Sequence, residues 1–114
     1  MSGLSTHILD TAKGRPAGGV RIVLEYSADG GDWKEIHRAE TNADGRVPNM
    51  LPDGTSLQKG VYRLTFDTSS YFRDTGTTGF YPYVPVVFEI TNPGEHHHVP
   101  LLLNPFGYST YRGS

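Results

Sequence analysis

Apolar and polar residues alternate with a period of two along most of this chain. That is the pattern of β-strands with one face on a core. In residues 4–9, Leu4, Thr6 and Ile8 face one way, and Ser5, His7 and Leu9 face the other. Residues 20–26 are β-branched and alternating, and residues 33–41 complete a hairpin with them across Asp29-Gly30-Gly31. Further strands are predicted over residues 61–66, 86–90, 96–103 and 108–112. In residues 96–103 the same alternation puts His96, His98, Pro100 and Leu102 on one face and His97, Val99, Leu101 and Leu103 on the other. One face reads as core, and the other carries histidines to a surface. Pro100 donates no hydrogen bond, so its amide side is expected at a bulge or facing no partner strand.

Between these strands the sequence breaks into turns. Residues 10–19 read as a loop, Asn42-Ala-Asp-Gly45 as a turn followed directly by Arg46, residues 48–60 as irregular, and residues 79–85 as an aromatic loop. The one helix expected lies in residues 67–76, with Asp67 as its cap and Gly76 at its end. About seven or eight strands spaced every 8–12 residues or so predict an all-β, antiparallel two-sheet sandwich with one short helix.

With 114 residues, 36% of them hydrophobic and 19% charged, residues 1–114 are expected to form a single globular domain. Ten basic against 12 acidic residues and no basic run make nucleic acid an unexpected partner. The absence of cysteine excludes disulfides, thiolate zinc sites and a Cys nucleophile. No basic leader precedes an apolar run, Gly113-Ser114 is no peroxisomal signal, and no segment approaches the ~20 apolar residues of a membrane span. The expectation is a soluble cytoplasmic protein with no membrane partner.

Three positions stand out chemically: His7, Arg46 and His98. Each has a bland reading, as a solvent-facing histidine, a solvated charge and a satisfied structural histidine. His96 and His98, two apart on one strand face, with His7 as a third ligand, are a conceivable zinc set. No carboxylate or cysteine accompanies them at a recognised spacing, so no metal is expected. Ser5, Ser109 and Ser114 lie in no Gly-x-Ser-x-Gly elbow, and no phosphate-binding glycine loop is present.

Four segments carry a resemblance: Leu4-Ser-Thr-His-Ile-Leu-Asp10, Gly14-Arg-Pro-Ala17, Asp44-Gly-Arg46, and His98-Val-Pro-Leu-Leu-Leu with Tyr108-Ser-Thr-Tyr-Arg-Gly-Ser114. Together they resemble the 5-hydroxyisourate hydrolases, the purine-catabolic branch of the transthyretin family, over essentially the whole chain. The closing Tyr-Arg-Gly-Ser is the most specific part, because hormone-carrying transthyretins lack it. Carriers also have other residues at the positions of His7, Arg46 and His98. Asn104 stands where many relatives have Ser.

The resemblance implies a transthyretin-like sandwich of about eight strands and a homotetramer, a dimer of dimers with active sites in a channel at the dimer–dimer interface. It implies hydrolysis of 5-hydroxyisourate to 2-oxo-4-hydroxy-4-carboxy-5-ureidoimidazoline, without a cofactor. His7, Arg46 and His98 are the implied catalytic residues, and Tyr111, Arg112, Gly113 and Ser114 the implied substrate-binding ones. Imidazole titrates near pH 6.5, so His7 or His98 can act as base on water. Arg46 and Arg112 offer multi-donor forks for substrate carbonyls. The alternative is a transthyretin-like carrier of a small ligand without catalysis.

Overall fold

The structure, a computed structural model, describes residues 3–113. In chain order the elements are β1 (Gly3–Asp10), β2 (Arg15–Pro16), β3 (Arg21–Ser27), β4 (Lys34–Glu40), β5 (Arg46–Val47), β6 (Gly60–Phe66), α1 (Thr68–Asp74), β7 (Val84–Ile90), β8 (His96–Asn104) and β9 (Gly107–Thr110). One sheet runs β2-β1-β8-β9, with β5 also paired to β1, and the other runs β4-β3-β6-β7. This is the expected two-sheet sandwich with one short helix. No helix of the described residues is long and apolar enough to cross a membrane.

The alternation reads out as predicted on the two central strands of the first sheet. Leu4, Thr6, Ile8 and Asp10 of β1, and His97, Val99, Leu101 and Leu103 of β8, are buried between the sheets. From the second sheet they meet Ile22, Leu24, Leu64, Phe66, Val84 and Ile90. Each buried aliphatic or aromatic side chain of this kind contributes about 1.5–3 kcal/mol. Polar groups on the buried side are satisfied: Thr6 Oγ1 donates to the Val99 carbonyl at 2.6 Å, and the His97 ring lies with Nδ1 3.0 Å from the Glu95 carbonyl.

The structure corrects the antiparallel expectation. β1 and β8 pair in parallel, Gly3 with His96 through Asp10 with Leu103. Parallel neighbours need a long crossover, and here the whole second sheet and α1 supply it. Two short strands also go beyond the sequence reading: β2 lies in the loop expected at residues 10–19, and β5 follows the turn at Gly45. β7 begins earlier than expected and includes Pro85, which an edge strand tolerates because its missing donor breaks no inner ladder.

Pro100 behaves as anticipated. The β8–β9 ladder pairs Leu101 with Thr110, and the same register resumes only at an isolated bridge between His98 and Gly113. Beside Pro100 the ladder lapses, so β9 stops at Thr110 and residues 111–112 leave the sheet. The Pro100 carbonyl takes its hydrogen bond from the Thr110 hydroxyl instead, at 2.7 Å.

The helix starts and stops where the sequence indicates. The Asp67 carboxylate accepts from the Ser70 amide at 3.1 Å, and Gly76 just beyond the last turn takes φ +69°. α1 is tied to the first sheet by a buried pair, Tyr71 Oη donating to Asp10 Oδ2 at 2.7 Å. The other oxygen of Asp10 accepts from the amides of Ala12 and Lys13, each at 3.1 Å. Tyr71→Phe removes one partner of a buried carboxylate, and we expect it to destabilise the fold by about 1–3 kcal/mol. A fall in the urea midpoint at matched protein concentration, with unchanged slope, is the expected result; an unchanged midpoint would show that the pair is energetically idle.

Candidate active site

The outward face of the first sheet holds the groups of interest. The β1–β8 register sets Ser5 beside His98 and His7 beside Pro100. On the other side of β1, β5 sets Arg46 opposite His7 and Val47 opposite Thr6. Val47 is buried and Arg46 exposed, as alternation requires.

Arg46 reaches its place through a tightly folded turn. The Asn42 side-chain carbonyl accepts from the amides of Asp44 and Arg46, at 2.9 and 3.1 Å. Gly45 adopts φ +72°, and its carbonyl accepts from the Ile8 amide at 2.8 Å. A Cβ on Gly45 would stand 2.5 Å from the Ile8 carbonyl oxygen. Only glycine both takes this conformation and lets the turn press on β1. The arginine then follows directly, beside His7.

Ser5, Thr6, Arg46, Pro48, His96 and His98 line a concavity of about 340 Å³ on this face. Ser5 Oγ sits between two imidazoles, 2.8 Å from Nδ1 of His98 and 2.9 Å from Nε2 of His96. His7 and His98 are half-buried and His96 is exposed. The chain end closes over His98: the Gly113 amide donates to the His98 carbonyl at 2.8 Å. A Cβ on Gly113 would lie 2.6 Å from Cδ2 of the His98 ring, so glycine permits this close approach.

The remaining expected binding residues are placed differently within one protomer. Tyr111 and Arg112 line a separate recess of about 290 Å³ at the open edges of β7 and β9, with Val86, Phe88, His97 and Val99. Arg112 pairs with Glu95 at 3.1 Å. Ser114 lies outside the described residues. Ser5 and His96 are not among the expected catalytic or binding residues: His96 enters the sequence reading only as a conceivable zinc ligand, and Ser5 only as a serine outside any nucleophile elbow; the signal was their shared strand faces with His7 and His98. Among the described residues no cluster of three His, Cys, Asp or Glu side chains suits a metal ion.

Both imidazoles are held below their ordinary range. For His7 the main cause is burial, followed by the Arg46 guanidinium, against a weaker opposing pull from the Asp44 carbonyl on the ring N–H and from its carboxylate. For His98 it is again burial, then Arg46, with smaller contributions from His7 and His96. Burial and a neighbouring cation both disfavour imidazolium. The site at neutral pH therefore presents two neutral imidazoles beside a permanent positive charge. Such a set can take a proton, donate hydrogen bonds and stabilise developing negative charge.

The HIUase/Transthyretin family model matches residues 4–113. The chain belongs to this family. It is 47% identical over 114 residues to the mouse 5-hydroxyisourate hydrolase, covering 99% of this chain and 96% of that protein. Among solved structures it is similar to Klebsiella pneumoniae 5-hydroxyisourate hydrolase, at TM-score 0.85 and 37% identity, covering 99% of this chain and all of that one. It is also similar to sea bream transthyretin solved in complex with thyroxine, at TM-score 0.88 and 35% identity, covering 97% and 94%. Family likeness in shape therefore spans a hydrolase and a transthyretin solved with thyroxine, and the residues of the outward face must separate them.

The electrostatics make a direct prediction. The Cε1–H resonances of His7 and His98 should titrate with midpoints below the ordinary imidazole value of 6.5. A midpoint above 6.5 for either ring would contradict their burial beside the Arg46 guanidinium.

Proposed function

We propose that this chain hydrolyses 5-hydroxyisourate to 2-oxo-4-hydroxy-4-carboxy-5-ureidoimidazoline, in urate catabolism, on the outward face of the first sheet that carries His7, Arg46 and His98. One observation carries the reading. Two half-buried neutral imidazoles and a guanidinium converge on one face of a chain nearly half identical to a hydrolase of that substrate.

The chemistry follows from what the reaction needs. Water adds to a ring carbonyl, forming a C–O bond, and the adjacent C–N bond breaks. An imidazole takes a proton from the attacking water, and that proton passes to the departing ring nitrogen. Arg46 supplies fixed positive charge and planar donors for the carbonyl oxygen as it becomes negative. Because burial, and then Arg46, keep the imidazoles neutral, a base is available at neutral pH without a cofactor.

The assembly we propose is a homotetramer, with the sites at the dimer–dimer interface. Supporting it, β7 and β9 end their sheets as open edges that line one recess, and edges of this kind invite pairing with a second copy. Phe106 and Tyr111 are 72% and 57% exposed, an apolar cost that a neighbouring subunit would remove. In such an assembly Tyr111, Arg112, Gly113 and Ser114 would complete the substrate site. The sedimentation mass should be four times the 12.5 kDa chain.

The carrier reading predicts a face suited to a greasy ligand. Ser5, His7, Arg46, His96 and His98 make this face polar, which favours the hydrolase. Freshly generated 5-hydroxyisourate should lose its ultraviolet absorbance faster with the protein than without it; equal rates would end the proposal. His7→Asn, His98→Asn and Arg46→Ala should each lower turnover by at least about 10²-fold with the assembly intact. Near-normal turnover in any of them would remove that residue from the catalytic set. Turnover should hold from pH 8 down to about pH 6.5, then fall as the imidazoles protonate. Removal of residues 111–114 should abolish activity and leave the sandwich folded; full activity would exclude the tail from the site.

A further inference from the structure

The proposed function leaves two imidazoles competing for the role of base. The hydrogen bonds around Ser5 divide the work between them. Ser5 carries a single hydroxyl proton and faces two ring nitrogens, Nδ1 of His98 and Nε2 of His96, at 2.8 and 2.9 Å. It can donate to one and must accept from the other, which leaves two arrangements. In the first, His96 Nε2–H donates to Ser5, Ser5 donates to His98 Nδ1, and the His98 proton sits on Nε2. In the second, both rings carry their proton on Nδ1.

Neutral imidazole side chains in water favour the Nε2–H form. The first arrangement gives both rings that form, whereas the second puts both in the less favoured one. The groups facing His98 are Ser5 and His7 from β1, Arg46 from β5 and His96 from β8. Burial, and then the positive charge of Arg46, keep the ring neutral, as donation from Ser5 requires. The Ser5 backbone carbonyl pulls the other way, as the weakest influence on the ring.

The ring's orientation puts that proton to use. Nδ1 faces Ser5 and the Cδ2 edge faces Gly113, so the Nε2 tip points away from the strand. Among the described residues Nε2 has no hydrogen-bond partner of its own. His7 has no such bridging hydroxyl: among the described residues no side chain hydrogen-bonds its ring, so its lone-pair nitrogen is left to take a proton.

We propose that the His96–Ser5–His98 chain makes His98 a hydrogen-bond donor to the substrate carbonyl, and leaves His7 as the base. Ser5 and His96 are positioning residues, acting through His98. This assignment rests on the hydrolase reading. His7 takes the proton from water as the C–O bond forms and returns it to the ring nitrogen as the C–N bond breaks. His98 keeps its proton throughout.

Two measurements test it on the full chain. In protein labelled with ¹⁵N-histidine at pH 7.5, the ring ¹⁵N shifts of His98 should show a protonated Nε2 and a bare Nδ1; the reverse would overturn the proposal. This readout needs no substrate, so it stands apart from any failure of the hydrolase reading, which the ultraviolet decay with wild-type protein reports. In kinetics, glutamine can donate from nearly the position of Nε2 but cannot take a proton, whereas asparagine is too short to reach it. His98→Gln should therefore keep kcat within about tenfold of wild type, while His98→Asn and His7→Gln each lose at least about 10²-fold. His98→Gln as inactive as His98→Asn, or His7→Gln nearly fully active, would overturn the division of roles. Should His98→Gln fail to fold, Ser5→Ala decides: kcat should fall about tenfold with KM within about twofold, and Ser5→Thr should restore it. Unchanged kcat in Ser5→Ala would overturn the positioning role.

Discussion

The parallel pairing of β1 with β8 is the constraint on which the rest depends. It joins residues more than ninety positions apart and fixes which of them are neighbours. Side chains alternate along both strands, so the pairing makes one continuous inner face and one continuous outer face. Inside are Leu4, Ile8, Val99, Leu101 and Leu103; outside are Ser5, His7, His96 and His98. A slip of one residue in either strand would turn its aliphatic side chains to water and its polar ones into the core. At about 1.5–3 kcal/mol for each aliphatic side chain, that cost is a large part of the stability of a small domain. The core thus specifies the site: what keeps the leucines in also keeps the histidines together and out.

The rest of the site is hung on that pair of strands by local devices. Gly45 presses the Asn42–Gly45 turn onto the Ile8 backbone and so delivers Arg46 beside His7. Pro100 interrupts the ladder with β9, which frees residues 111–112 from the sheet before Gly113 bridges back to His98. Asp10 and Tyr71 lock the far end of β1 to α1. The guanidinium then sets the chemistry. With burial as the larger cause, it keeps two nearby rings neutral, and in the proposed reaction it faces the negative charge that develops.

Much of this was legible in the sequence because it is local. The period-two pattern separated His98 from Val99 and His7 from Ile8, and the cap and terminating glycine of α1 were readable from Asp67 and Gly76. The partner of each strand was not. Nothing in residues 4–9 states that they lie parallel to residues 96–103, because pairing depends on the path of the intervening chain. β2 and β5 are two residues each, too short to show a period. Ser5 could be placed on the face of His7 from alternation alone, but its position between two imidazoles required the register. The resemblance supplied His7, Arg46 and His98 together. Within one protomer Tyr111 and Arg112 line the neighbouring recess, a placement set by the ladder's lapse at Pro100 rather than by any local motif.

The central claim is that the outward face of β1 and β8 is where substrate binds. A crystal structure of the protein with an unreactive, flat urate analogue tests it most directly. The account predicts the analogue against the Arg46 guanidinium and the His98 ring, with His7 within hydrogen-bond reach of a water at its edge. An analogue seated elsewhere, with His7, Arg46 and His98 facing only solvent or an unrelated subunit surface, would contradict it.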